Sequence, residues 1–155
     1  MHLDLDALAA FIVAAKRATY VGEGQPSAPS RPGAHDLTFA AGPFTYRDSY
    51  FGGTEFHGQE VVWCSGDAVW AMSYHGYVIR PLLIDAARAG ATIKAALAAM
   101  YQEGRFLGGF EWIGAHGTYR DNSTGNVARF TGREVIEVGN VEAYALEYFG
   151  GLIEA

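Results

Sequence analysis

Glu60 in "FHGQEVVWC" and Glu134 in "FTGREVIEV" are acidic residues at matching places in two near-copies of one motif. Side chains alternate between the faces of a strand. Phe56, Gly58, Glu60, Val62 and Cys64 therefore share one face, and Phe130, Gly132, Glu134, Ile136 and Val138 share the equivalent one. Both sets are apolar apart from their glutamate, which predicts two inward-pointing carboxylates. A carboxyl buried without a cation has a raised pKa and suits general acid–base work, whereas a bound cationic ligand would hold it ionised and confer specificity. A structural reading competes, in which each glutamate accepts hydrogen bonds from Tyr46, Tyr119, Arg47 or Arg120 and ties its hairpin together. The repetition favours the structural reading, because an active site rarely needs the same residue twice. Both stay open at this point.

Other candidates flank the glutamates. "TYRD" occurs at Thr45–Asp48 and again at Thr118–Asp121. Alternation there puts Tyr46 with Asp48, and Tyr119 with Asp121, opposite Arg47 and Arg120, which reads as a solvated Arg–Asp edge beside a half-buried tyrosine. Trp70, Met72 and Tyr74 are matched by Tyr144, Leu146 and Tyr148. This aromatic row is either core or the floor of a pocket for a flat apolar ligand. Residues unique to one copy are where a duplicated scaffold would place chemistry. They are His75, Trp63 and the "SRPGAHDL" segment with Arg31, His35 and Asp36. His35 and Asp36 would orient a ligand, act as a base or cap a strand end. His57 falls on the strand face opposite Glu60 and makes a poor partner for it. The histidines have no metal-site spacing and Cys64 is alone, so no metal is expected. No phosphate loop or nucleophile elbow is present, so no cofactor is expected either.

Composition limits what these residues can serve. The chain has 155 residues, half of them hydrophobic, with a formal charge of −6. That suits one globular domain and disfavours direct nucleic-acid binding, which needs clustered Lys and Arg. A single cysteine and the absence of any long apolar span point to a cytoplasmic protein with no membrane contact. A homodimer stays open.

The elements that must hold these residues follow from periodicity. Leu5, Leu8, Ile12 and Ala15 lie at helical spacing, with Asp4 or Asp6 near the helix start. The helix should stop before the Gly22–Gly33 stretch, "GEGQPSAPSRPG", which is either a flexible connector or a binding loop. "FTYRDSYF", "EFHGQEVVWC" and "AVWAMSYHGYVI" read as strands, the last two joined by a turn at "CSGDA". A second helix, opened by Pro81 and interrupted at Gly90, leads to "GTYRDNSTG", "VARFTGREVIEV" and "VEAYALEYFGGLI", with "VGNVE" as the matching turn. The chain thus reads as one α+β domain over 1–155, built from two helix–strand–strand–strand units at about 4–79 and 82–153. Pseudo-two-fold symmetry would relate the units, with two helices covering one antiparallel sheet.

"AAKRATYVGEG", "SRPGAHDL", "YRDSYFGG", "FHGQEVVW" and "VWAMSYHGYV" together resemble a bacterial family of unknown function, domain-of-unknown-function family 5680. Its members occur alone or C-terminal to helix-turn-helix regulators. The resemblance implies a sensor-like role and transfers no catalytic residues. A looser likeness of topology is to the duplicated GyrI-like effector-binding domains of multidrug-responsive regulators, whose cleft binds flat, often cationic molecules against aromatics and a glutamate. The leading expectation is a small-molecule (effector-like) binding domain. Its cleft would lie between the repeats and use Trp70, Tyr74, Tyr144, Tyr148, Glu60, Glu134, Tyr46, Tyr119, His35 and Asp36. The alternatives are a cofactor-independent lyase, cyclase or hydrolase working through Glu60, Glu134 and His75, or a structural interaction domain without a pocket.

Overall fold

In a computed structural model, residues 3–22 and 24–154 are described. Helix α1, Leu5–Lys16, starts at Asp4, whose carboxylate accepts from the amides of Asp6 at 3.0 Å and Ala7 at 3.1 Å. It then widens into a π-helical turn, Arg17–Val21, before Gly22. Helix α2 spans Ala86–Gln102. It does not open at Pro81: residues 81–83 form a turn, and Asp85 caps the helix by accepting from the Arg88 amide at 2.8 Å. Gly90 does not interrupt it either. The residue is exposed and costs the helix only about 1 kcal/mol relative to alanine.

The strands are β1 Pro26–Ser27, β2 His35–Ala41, β3 Phe44–Gly52, β4 Phe56–Cys64, β5 Asp67–Val78, β6 Phe110–Gly114, β7 Gly117–Asn126, β8 Arg129–Val138 and β9 Val141–Leu152. They form one nine-stranded antiparallel sheet in the order β1-β2-β3-β4-β5-β9-β8-β7-β6. The sequence reading found three long strands on each side of α2. It missed β1, β2 and β6, the short outer strands, where no long aromatic or β-branched run marks a buried ladder. The two hairpin turns it identified are present. Ser65 and Gly66 join β4 to β5, and Gly139 and Asn140 join β8 to β9, all four with positive φ as a two-residue type I′ turn requires.

Both helices cover the sheet face that carries Tyr46, Val62, Trp70, Ile136 and Tyr144, all buried. From α1, Phe11 packs on Phe39 and Phe44 at 5.7 and 5.1 Å between ring centroids. Near the middle of the sheet, Trp70 stacks on Phe130 at 5.8 Å and its indole N–H donates to the Val127 carbonyl at 3.0 Å. Within the Gly22–Gly33 stretch, Glu23 lies outside the described residues. The rest is fastened to the sheet edge through β1 and Asp36, which accepts from the Ser30 amide at 3.1 Å and the Ser49 hydroxyl at 2.7 Å. Among the described residues, no helix is long and apolar enough to cross a membrane.

Candidate functional site

Glu60 on β4 and Glu134 on β8 both point from the sheet toward the helices, as strand parity predicts. Glu60 is fully buried, and Glu134 keeps part of its accessible surface. Glu60 is not held by the expected tyrosine or arginine donors, whereas Glu134 has the expected Tyr119 hydroxyl beside it. Glu60 instead pairs with Lys16, the last residue of α1, whose Nζ lies 3.0 Å from Oε1 and 2.7 Å from Oε2. The lysine is itself buried, with Phe106 presenting its ring 5.3 Å away and the Met72 sulfur at 3.7 Å. Arg120 turns outward and pairs with Glu111 and Glu137.

The aspartates of the two "TYRD" segments are not a solvated edge. Asp48 on β3 lies opposite Glu60 in the strand register, and Asp121 on β7 lies opposite Glu134. Only 1% and 3% of these aspartates is exposed, which places both inside the chamber rather than at its rim. Each takes a tyrosine hydroxyl from a central strand: Tyr74 donates to Asp48 at 2.7 Å, and Tyr148 donates to Asp121 at 2.7 Å. These tyrosines are themselves cross-strand partners in the β5–β9 pair. Their rings pass directly over Gly58 and Gly132, where even a methyl group would collide with them. The glycines in "FHGQE" and "FTGRE" are therefore what lets each tyrosine reach its aspartate.

Four acids thus converge on one lysine. Burial, followed by the Asp121 charge, pushes Glu134 up to about 8, while Lys16 and the neighbouring Tyr119 hydroxyl moderate the rise. Asp48 rises to about 7, through burial and then the Glu60 charge. Asp121 rises to about 6 through burial, with the Tyr148 hydrogen bond opposing it. Burial also raises the buried tyrosines Tyr46, Tyr74, Tyr119 and Tyr148. The Tyr144 hydroxyl and Asp121 Oδ2 are enclosed without a hydrogen-bond partner among the described residues.

Open space adjoins this cluster. Lys16, Glu60, Asp121, Glu134, Tyr74 and Tyr148 border a cavity of about 30 Å³, the liquid volume of about one water. Beside it is a pocket of about 250 Å³ with Asp48 in its wall among Tyr20, Leu37, Tyr50, Phe56 and Tyr74. A further pocket of about 230 Å³ lies toward α2, between Tyr20, Phe56 and Tyr144. Tyr20, carried on the π-helical turn, borders all three spaces.

The fold brings Glu60, Glu134, Tyr74 and Tyr148 to one cavity and sets Tyr144 in the wall of a neighbouring pocket. Trp70 is core, stacked on Phe130. Tyr46 and Trp63 border a separate hollow of about 870 Å³. His75 lies exposed on the other sheet face beside His57, 5.6 Å between ring centroids, and away from both glutamates. His35 packs on Tyr50 at the sheet edge, and Asp36 is held by Ser30 and Ser49, which keeps its carboxyl below the ordinary range despite burial. The sequence reading missed Lys16, Tyr20 and the role of Asp48 and Asp121. Lys16 was within reach: it continues the Leu8, Ile12 spacing of the buried face of α1. Among the described residues no cluster of three or more His, Cys, Asp or Glu is arranged to hold a metal ion.

An α+β domain with an acid-rich chamber between sheet and helices is the class these features define. Residues 48–153 match the family described as Domain of unknown function (DUF5680), and the chain belongs to that family. No curated protein and no solved structure matches it.

Proposed function

We propose that this domain binds a small molecule in the space between sheet and helices, as an effector-binding module does. The observation that carries the reading is the pocket of about 250 Å³ with a buried carboxyl, Asp48, in a wall that is otherwise aromatic and aliphatic apart from Thr19. Specific small-molecule sites have this composition, an apolar lining with few polar groups that fix orientation. The neighbouring chamber has one lysine to offset four acids, and a bound ligand can supply what it lacks.

We further read the two halves as copies of one unit related by a pseudo-two-fold axis near Tyr74 and Tyr148. In support, β2 to β5 and β6 to β9 run inward from opposite sides of the sheet, and the same Tyr–Asp and Asp–Glu contacts recur in each half. The ligand space then lies at the junction of the copies.

The test is protein-observed NMR with a library of small fragments. Saturable shifts at Leu37, Tyr50, Phe56 and Tyr74 are expected; a library that perturbs none of them refutes the reading. One observation favours a second reading. Glu134, protonated near neutrality beside a cavity, has the titration a general acid needs. His75 has no place in that reading. It predicts that Glu134→Gln abolishes turnover of a substrate while binding survives.

A further inference from the structure

We propose that the pocket beside Asp48 takes an organic ammonium ion, a primary amine carrying a small aromatic or alkyl body. The inference rests on the reading of the domain as a small-molecule binder and names the chemistry of its ligand.

Charge comes first. Asp48 receives the Tyr74 hydroxyl on Oδ1, and its other oxygen has no hydrogen-bond partner among the described residues. Lys16 is committed to Glu60, and Glu60 and Asp36 add negative potential at Asp48. An anion entering here would meet an acceptor without a donor, and a neutral ligand would leave that acceptor unpaired. A protonated amine satisfies it.

The walls come second. Tyr20, Leu37, Tyr50 and Phe56 offer ring faces and aliphatic surface, which suit the body of an amine and add cation–π attraction to its head. About 250 Å³ amounts to roughly eight waters of liquid volume, enough for one ring and a short arm. The protein already holds one ammonium this way: Lys16 Nζ lies between the Glu60 carboxylate and the Phe106 ring. At Asp48 the carboxyl and the rings are in place, and among the described residues no ammonium pairs with it, Lys16 acting on it only from its place at Glu60.

The two halves differ where this matters. Asp121 has no such pocket. Its Oδ2 is enclosed, and the space it borders is the cavity of about 30 Å³, which it shares with Phe106. Of the two aspartates, both almost fully buried, Asp48 is the one that borders a space of ligand size.

Binding should be linked to a proton. With Asp48 at about 7, its ionised fraction grows about tenfold from pH 6 to pH 8, while an alkylamine stays protonated throughout. The other titratable or charged groups around Asp48 are Lys16 on α1, Tyr20 on the π-turn, Asp36 on β2, Tyr46 and Tyr50 on β3, Glu60 on β4 and Tyr74 on β5. His35 packs on Tyr50, so the profile is also recorded in His35→Gln.

The experiment is calorimetric titration of the full chain with benzylamine, alongside benzyl alcohol, benzoate and benzyltrimethylammonium, with NMR mapping of the site. Benzylamine should bind at least tenfold tighter than the alcohol and the quaternary ion, and about tenfold tighter at pH 8 than at pH 6. Asp48→Asn should erase the preference for the amine, and Leu37→Trp should block the pocket to every probe. Equal binding of amine and alcohol, an amine preference that survives Asp48→Asn, or shifts mapping away from Leu37, Tyr50 and Phe56 overturns the proposal. Should Asp48→Asn fail to fold, the amine-to-alcohol ratio in the native chain and its loss in Leu37→Trp decide. If other fragments fill the pocket and benzylamine does not, the inference fails and the binding reading stands. If nothing enters, both fail.

Discussion

In the first half, Asp48 and Glu60 face each other across β3 and β4, and Lys16 closes on the glutamate. In the second, Asp121 and Glu134 face each other across β7 and β8, and neither forms an ion pair among the described residues. One arrangement offsets its glutamate with a cation, while its aspartate is still pushed up to about 7. The other relies on protons, with Glu134 pushed up to about 8 and Asp121 to about 6. A second contrast accompanies the first. Beside Asp48 the π-turn presents Tyr20 in the wall of a pocket of about 250 Å³; beside Asp121 the chain after α2 presents Phe106 in the wall of a cavity of about 30 Å³. An Asp–Glu pair opposed across two strands can therefore exist in two electrostatic states, and side chains from the covering elements select between them.

The most damaging way to break this contrast is Lys16→Met. Removing one partner of a buried pair leaves the other charge uncompensated, at a cost of about 3–5 kcal/mol. Urea unfolding should show this loss, and Lys16→Met with Glu60→Gln should restore most of it. A single variant within 1 kcal/mol of the native chain would show that the cation is not what sustains the first half. Phe106→Ala comes next, at about 3 kcal/mol for a large buried ring. It should also open a pocket at Asp121, so that fragments able to enter only the first half acquire a second site by NMR. Binding stoichiometry that stays at one would mean Phe106 does not keep the second half closed.

Smaller and more discriminating is the pair Tyr74→Phe and Tyr148→Phe. Each removes a 2.7 Å hydrogen bond to a buried aspartate. Asp48 borders a pocket that water can enter, so losing Tyr74 should cost about 1 kcal/mol. Asp121 is enclosed, and losing Tyr148 should cost about 2 kcal/mol. Equal losses in denaturant titrations would contradict the difference in access.

Much of this arrangement is legible in the sequence. Alternation in "FHGQEVVWC" and "FTGREVIEV" is enough to turn both glutamates inward, because strand periodicity leaves only two faces. Alternation also places Tyr46 with Asp48 and Tyr119 with Asp121, but parity alone does not say which face is buried for a strand as polar as "TYRD". That depends on the helices above it. The partner of Glu60 was harder to find, since Lys16 is 44 residues away and reaches it only after α1 docks on the sheet. Nor do local propensities reveal the pocket. It exists because Tyr20 sits in a π-turn at the end of α1, a departure from helical spacing that depends on packing against the rest of the fold.

The pH dependence of stability is the subtlest expected effect, and its sign is unusual. Unfolded aspartate and glutamate titrate near pH 4, whereas folded Asp121, Asp48 and Glu134 titrate at about 6, 7 and 8. Between those limits the folded chain binds more protons than the unfolded chain, so stability falls as pH rises. The stabilising contribution of these groups is fully present below about pH 4 and is lost through pH 6 to 8. Asp36 and Glu142, whose values are lowered, act in the opposite sense but only at acid pH, outside a window of pH 5 to 8.5. Urea midpoints should therefore decline steadily across that window. Glu134→Gln should flatten the decline across the whole of pH 5 to 8, because Glu134 is protonated in the folded chain and ionised in the unfolded one throughout that range, and should leave only the slope that Asp48 and Asp121 supply below about pH 7. The change should be modest, since Glu134 retains part of its accessible surface. A midpoint that rises with pH, or a Gln variant as steep as the native chain above pH 7, would mean that Glu134 is ionised in the folded protein. The second half would then be holding its acids against a cation after all.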